Sequence, residues 1–116
     1  MSEPRFDLAI MLSENPSADV RGNAARRLVR AASEAGLTLA PLLLYGDAVH
    51  VPLTTDAAGA WRDTVRETGL TVVVCPAASE RRGVVVAPDA PAFPVEPMGL
   101  PAWLDAALGA ERVVRL

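Results

Sequence analysis

The stretch LTVVVCPAASERRG, residues 70–83, decides the fold, because it changes from a strand pattern to a helix pattern within two residues. The run from Leu70 to Val74 is the most β-branched part of the chain, and β-branched side chains favour strands. Pro76 suits the first position of a helix, since its missing N–H would be unpaired there anyway. The stretch therefore predicts a buried strand followed at once by a short helix that runs through Arg82 and stops at Gly83.

The same alternation of strand and helix patterns continues on both sides of this stretch. Short connections between parallel strands must cross over helices that lie on the faces of the sheet. We therefore predict an α/β fold, a three-layer α/β/α sandwich on a mainly parallel sheet of about five strands, with residues 1–116 as a single domain. The other predicted strands are 6–12, 37–45, a weak strand at Phe93–Val95 and 111–116, and the other predicted helices start near Ala18, Asp56 and Pro101.

Helix ends and inward faces are predicted from capping residues and from periodicity. Ser17 and Asp56 are expected to cap the first two long helices, Gly36 and Gly69 to follow their ends, and Pro101 to occupy the first position of the last helix. A loop is expected at 46–55, Pro41 suggests a bulge or an edge, and prolines at 88, 91, 94 and 97 favour an extended surface loop. Each long helix is expected to turn one apolar stripe inward. In the first helix the stripe is Val20, Ala24, Leu28, Ala31, Ala32 and Ala35, with Arg21, Arg26 and Arg30 largely outside it. In the second helix it is Ala57, Ala60, Trp61, Val65 and Thr68, and in the last helix Trp103, Leu104, Ala107 and Leu108.

Composition excludes several classes of protein. All eleven basic residues are arginine, so the chain has no lysine for a Walker A loop, a Schiff base or a receiver-type phosphoryl site. A net charge of −3 without a basic cluster argues against nucleic-acid or anionic-membrane binding. The mean hydropathy of +0.25 indicates either an apolar partner surface or simply an alanine-rich protein. A single cysteine and the lack of a secretory or membrane-spanning pattern predict a cytoplasmic location.

Cys75 is the residue with the most useful chemistry. It falls between a strand and a helix, where the amides of Ala77 and Ala78 and the guanidinium groups of Arg81 and Arg82 favour a thiolate, although Glu80 offsets them in part. The alternative is a buried, inert cysteine that closes a strand. The sequence thus identifies one candidate nucleophile and leaves both roles open.

A thiolate at this position could serve hydrolysis, redox exchange or the carriage of a transferred group. Hydrolysis would need a base, and the one histidine, His50, lies in the loop after the second predicted strand, where a solvated loop histidine is the simpler interpretation. Redox exchange within the chain lacks a second cysteine, whereas carriage needs none. One histidine and one cysteine do not form a metal cluster, and no glycine-rich phosphate loop occurs, so we expect neither metal nor cofactor.

Three blocks of the chain resemble the DsrE/TusD-like sulfurtransferase subunits of bacterial sulfur relays: LLLYGDAVHVP (42–52), VVVCPAASERRGV (72–84) and ERVVRL (111–116). The resemblance implies that Cys75 accepts sulfur and that the loop from Tyr45 to Val49, which includes Asp47, lies beside it. It also implies oligomers with homologous subunits, donor and acceptor carrier proteins, and a role in tRNA thiolation or sulfur oxidation. The chain departs from the family at His50–Pro52 and in the proline-rich segment 84–97. A non-catalytic subunit that builds an oligomer or binds a small ligand is the alternative.

Overall fold

The computed structural model describes residues 5–53, 55–85 and 92–116, and these form one parallel sheet with helices. The strands are β1 (Phe6–Leu12), β2 (Leu42–Leu44), β3 (Val72–Val74), β4 (Glu96–Pro97) and β5 (Ala110–Arg115). The helices are α1 (Val20–Glu34), α2 (Thr55–Thr68), α3 (Pro76–Arg81) and α4 (Leu100–Leu108), with a 3-10 helix at Gly46–Leu53. None of the helices within these ranges is long and apolar enough to cross a membrane.

The strand order β4-β3-β2-β1-β5 produces the predicted three layers. The chain steps in one direction from β1 to β4 and then crosses back to β5. Because crossovers between parallel strands are right-handed, α1, α2 and α3 lie on one face of the sheet and α4 on the other. Every residue of β2 and β3 is buried, as expected for central parallel strands covered on both faces. The α/β/α sandwich and its sheet of five strands are therefore confirmed.

The first helix begins two residues later than predicted, and Ser17 is not its cap. The N-cap is Asp19, in the left-handed conformation with φ 50°, and its side chain makes no capping bond. The Glu14 carboxylate instead accepts the N–H groups of Arg21 and Gly22 at 2.8 and 3.2 Å. A side chain from the preceding loop thus satisfies the first turn, which the local capping pattern could not indicate.

The buried face of α1 also differs from the predicted stripe. Val20 is 71% exposed, and the buried positions are Gly22, Ala25, Arg26, Val29 and Ala32. The prediction placed Arg26 largely outside the stripe because its position does not match the helical spacing of the apolar residues from Val20 to Ala35. Arg26 is buried because Asp19 neutralises it and the ring of Trp61 lies beneath it.

The strand β2 is shorter than predicted, the segment after it is more regular, and α2 begins earlier. β2 begins only after Pro41, and residues 37–41 contribute a single bridge, Leu39 to Leu8. The predicted loop after β2 is a 3-10 helix, because its apolar side chains at 48, 49, 51 and 52 are drawn onto the core. α2 starts at Thr55, which places Asp56 in its first turn instead of at its cap.

The last third of the chain differs from the prediction in three places. The fourth strand is Glu96–Pro97, because the predicted strand residues Phe93 and Val95 are buried in the core without entering the sheet. Pro101 is the second residue of α4, after Leu100. Trp103 and Ala107 face inward as predicted, but Leu104 and Leu108 are 45% and 86% exposed because α4 buries only one narrow face. Prolines 88 and 91 lie outside the described residues.

Candidate functional site

Cys75 lies at the carboxyl end of the sheet, one residue beyond the end of β3. The last paired residues of the three neighbouring strands are Leu44 of β2, Val74 of β3 and Pro97 of β4. Continuing this register places Tyr45, Cys75 and Met98 side by side. The Cys75 N–H donates to the Leu44 carbonyl at 3.2 Å, and the Met98 N–H donates to the Val74 carbonyl at 3.0 Å. Cys75 is therefore held between two neighbouring strand ends, at the edge where parallel α/β sheets gather their sites.

The backbone of Cys75 is fixed by the start of α3. Cys75 is the N-cap residue, with Pro76 first in the helix as predicted. Its carbonyl accepts two hydrogen bonds, from the Ser79 N–H at 3.1 Å and the Ser79 hydroxyl at 3.0 Å. Its thiol makes no capping bond to the backbone. The main chain is thus rigid at this position, while the sulfur atom is not committed to a helix amide.

The thiol is enclosed by its neighbours. Cys75 is 2% exposed and belongs to the hydrophobic core, together with Leu44, Val74 and Ala78. Burial to this extent means that a reagent or a partner cysteine can reach the sulfur only after a neighbouring segment moves. Any chemistry at Cys75 therefore depends on opening of the surrounding structure.

The 3-10 helix and α3 meet beside Cys75 and are joined by an ion pair. The Arg82 Nε donates to the Asp47 carboxylate at 2.8 Å, and another guanidinium nitrogen donates to the Ala78 carbonyl at 3.2 Å. The sequence singled out both charged residues but gave no reason to pair them. Their contact shows that the positive charge of Arg82 is directed at Asp47 and at the end of α3.

The other candidate residues occupy different surroundings. Tyr45 is half-buried and its N–H donates to the Leu12 carbonyl at 2.9 Å, which fixes the chain where β2 ends. His50 is partly buried on the 3-10 helix instead of in a solvated loop. Ala77 and Arg81 are exposed on α3, and Ala78 is fully buried. The fold therefore brings Tyr45, Asp47 and Arg82 to the same end of the sheet as Cys75.

A shallow apolar groove of about 360 Å³ adjoins the cysteine, and sequence reasoning did not predict it. Its wall includes Val74 and Pro76, the two chain neighbours of Cys75, together with Ser79, Val84 and Pro97. The one signal in the sequence was the run of three valines, 84–86, that follows Gly83. Across the ranges that the structure describes, no three His, Cys, Asp or Glu side chains come together to hold a metal ion.

Breaking the ion pair between Asp47 and Arg82 should make Cys75 easier to alkylate. Both side chains are partly exposed, 53% and 32%, so the pair contributes no more than about 1 kcal/mol. We expect Asp47→Asn to loosen the 3-10 helix and to raise the rate of iodoacetamide alkylation by up to about fivefold.

The matched control for this prediction is Asp63→Asn, which breaks the exposed pair between Arg62 and Asp63 on α2. That variant should alkylate at the wild-type rate. Equal rates for Asp47→Asn and wild type would show that the ion pair does not govern access to the thiol.

Comparison with known proteins gave matches in both sequence and structure. The model of the DsrE/DsrF-like family matches residues 7–116. A sulfurtransferase TusD homolog of Pseudomonas aeruginosa is 36% identical in a match that covers 78% of this chain and 85% of that protein.

Two solved structures share the fold at low sequence identity. The ychN protein from E. coli aligns with a TM-score of 0.76 at 19% identity, over 96% of this chain and 99% of that chain. A conserved protein of unknown function from Bacteroides thetaiotaomicron aligns with a TM-score of 0.68 at 18% identity, over 95% of each chain. These two matches show a common architecture and nothing about activity.

Proposed function

This chain belongs to the DsrE/DsrF-like family, and on that premise we propose that it is a sulfur-relay subunit that accepts persulfide sulfur on Cys75. One observation carries the assignment to this residue. Cys75, the one cysteine in the sequence, lies at the carboxyl end of β3 and at the N-cap of α3, in a row with Tyr45 and Met98. Sites of parallel α/β proteins gather at this edge.

The proposed reaction is two successive thiol exchanges at one sulfur atom. The Cys75 thiolate attacks the outer sulfur of a donor persulfide, an S–S bond to Cys75 forms, and the donor leaves as a thiolate. An acceptor cysteine then attacks the same outer sulfur and releases the Cys75 thiolate. The transferred sulfur keeps its oxidation state in both steps, so no oxidant or reductant is required.

The burial of Cys75 gives this reaction a closed and an open state. In the closed state the sulfur is shielded from small thiols that would reduce a persulfide. The apolar groove that begins at Val74 and Pro76 offers a path by which a partner could approach. Docking there would displace the adjoining segment and expose the sulfur to the partner cysteine alone.

The donor and the acceptor are, under this proposal, small carrier proteins of a relay that serves tRNA thiolation or sulfur oxidation. A cytoplasmic location suits it, because thiols remain reduced there. The acidic surface makes direct contact with tRNA or with an anionic membrane unfavourable. Homologous subunits would complete the assembly, with this chain as a one-domain component.

A non-catalytic subunit is the second candidate, and a specific observation favours it. Cys75 is 2% exposed, as an inert core cysteine would be. In that case the thiol packs between β2 and α3, and the chain contributes only surface to an assembly. The two candidates differ in whether Cys75 ever becomes accessible to a persulfide.

Intact-protein mass spectrometry tests the proposed function directly. The reduced full chain is incubated with a persulfide-loaded donor protein or with a small-molecule persulfide, and its mass is recorded before and after addition of dithiothreitol. We expect a gain of one sulfur atom, which dithiothreitol removes once the protein has been unfolded and the sulfur is no longer shielded. No gain from either donor, under conditions in which a control thiol protein is loaded, would support the non-catalytic subunit.

A further inference from the structure

Among the residues that the structure describes, one charged side chain lines the apolar groove beside Cys75, and it is Glu80. The other polar side chain of the wall is Ser79, whose hydroxyl already donates to the Cys75 carbonyl. Glu80 is exposed and has no ion-pair partner among residues 5–53, 55–85 and 92–116. A carboxylate in this position is a group with which a ligand in the groove can pair.

The positive charges next to Glu80 do not lie in the groove. The Arg82 Nε donates to the Asp47 carboxylate at 2.8 Å, so its charge is neutralised within the chain. Arg81 is exposed but is not part of the groove wall. Successive residues of a helix point about 100° apart, which turns Arg81 away from the face that Glu80 occupies. The groove therefore presents a negative charge to whatever enters it.

The size of the groove suits a short segment of a partner protein. Its volume of about 360 Å³ lies near the lower end of the roughly 300–1,000 Å³ of clefts that hold small ligands, so it accepts a few side chains and not a folded domain. Val85, on the same wall, is 87% exposed although it is apolar, which is surface that a partner would cover. The occupant that fits combines a basic side chain with an apolar one.

We propose that Glu80 is a specificity-determining residue: it selects a sulfur donor whose persulfide-bearing cysteine has a positively charged neighbour, an inference that rests on the sulfur-relay function proposed above. The basic side chain pairs with Glu80, while apolar side chains of the donor pack on Val84 and Pro97. The exchange itself is unchanged. An S–S bond to Cys75 forms as the bond to the donor sulfur breaks, and the donor leaves as a thiolate, so no further reactant is needed. Small anionic persulfides are repelled by the same carboxylate.

The competing interpretation is that the exposed Arg81, on the same helix, attracts anionic donors to Cys75. The two interpretations predict opposite charge preferences. If Glu80 decides, a positive charge beside the donor cysteine speeds transfer and a negative charge slows it. If Arg81 decides, the order is reversed.

Paired alkylation measures the charge that a reagent meets at the opened thiol. Iodoacetate is anionic and iodoacetamide is neutral, and both need the same opening of the structure, so the ratio of their rates is independent of how often it opens. We expect Glu80→Gln to raise the ratio of the iodoacetate rate to the iodoacetamide rate about threefold at low ionic strength, and about 1 M salt to remove this difference by screening.

The matched control for alkylation is Glu111→Gln. This variant makes the same charge change on β5, which is three strands away from β3 and thus roughly 14 Å across the sheet. That distance exceeds the screening length at physiological salt. The Glu111→Gln protein should therefore show the wild-type ratio of the two rates.

Sulfur transfer tests the choice of donor directly. The full chain is incubated with each of two capped tripeptide persulfides that differ only in having lysine or glutamate before the cysteine, and the initial rate of sulfur gain is followed by intact mass. The wild type should load at least about fivefold faster from the lysine peptide. Glu80→Gln should reduce this preference to less than about twofold, and Glu80→Arg should reverse it.

Loading without a charge preference overturns the selection by Glu80, and so does an alkylation ratio that Glu80→Gln leaves unchanged. A preference for the glutamate peptide overturns it in favour of Arg81. Each of these results leaves the sulfur-relay function intact. No loading from either peptide also overturns the donor choice, and sulfur uptake from a persulfide-loaded donor protein then decides the relay function separately.

Discussion

Cys75→Ser should abolish sulfur uptake and leave the protein folded. Serine nearly preserves the volume of the side chain and provides an oxygen suited to the N-cap of α3, so we expect little change in the free energy of unfolding. A hydroxyl is a far weaker nucleophile toward sulfur than a thiolate, and the chain has no second cysteine to replace it. Intact mass after incubation with a persulfide donor should therefore show no added sulfur, at any donor concentration that loads the wild type.

His50→Ala is the matched variant that tests whether Cys75 needs a general base. A carrier thiolate transfers sulfur without a general base, so this variant should retain most of the wild-type uptake. A cysteine hydrolase would instead lose most of its rate without its base. Sulfur uptake by Cys75→Ser would contradict the proposed mechanism, and so would a folded His50→Ala protein with no uptake at all.

The parts of the fold that follow from local patterns were predicted well. The nearly continuous apolar run Phe6–Leu12 forms β1 with the predicted bounds, because a strand buried on both faces needs no alternation. The turn from Val74 through Cys75 into α3 was also predicted, since a proline at the first helical position depends on nothing outside the segment. Local chemistry was sufficient in both places.

The errors occur where contacts outside a helix decide which residue caps it or how wide its buried face is. Glu14 satisfies the first turn of α1 in place of Ser17, and Leu108 faces outward although its spacing matches that of Trp103. The site shows the same limit. The sequence placed Cys75 at the end of the third predicted strand, but its 2% exposure and the ion pair between Asp47 and Arg82 depend on how α3 packs against the 3-10 helix.

Arg26 departs furthest from the predicted pattern. Removing the charge of its partner, Asp19, is the second substitution for which we expect a large effect. Its guanidinium group makes a bidentate contact with Asp19 at 3.0 and 2.7 Å, and its central carbon lies 5.4 Å from the centre of the Trp61 ring. The Arg26 side chain is 6% exposed and that of Asp19 is 32% exposed. There is no room for a Cβ at Gly22, which would collide with the Asp19 carboxylate. The start of α1 is thus built around one buried positive charge and its single carboxylate partner.

Asp19→Asn should lower the free energy of unfolding by about 2 kcal/mol, because it leaves the Arg26 charge buried opposite a neutral group; the partial exposure of Asp19 keeps the loss below the full cost for a buried pair. Asp19→Ala should cost roughly 1 kcal/mol more, since alanine is strained at a φ of 50° whereas asparagine tolerates it. Adding Arg26→Leu to Asp19→Asn should recover most of the loss by removing the unpaired charge.

Urea unfolding with an unchanged m-value measures all three variants, with Asp63→Asn on the exposed face of α2 as the control. A change below about 0.5 kcal/mol for Asp19→Asn, no larger than that of an ordinary surface substitution, would mean that solvent stabilises Arg26 and that the pair does not hold α1 against α2.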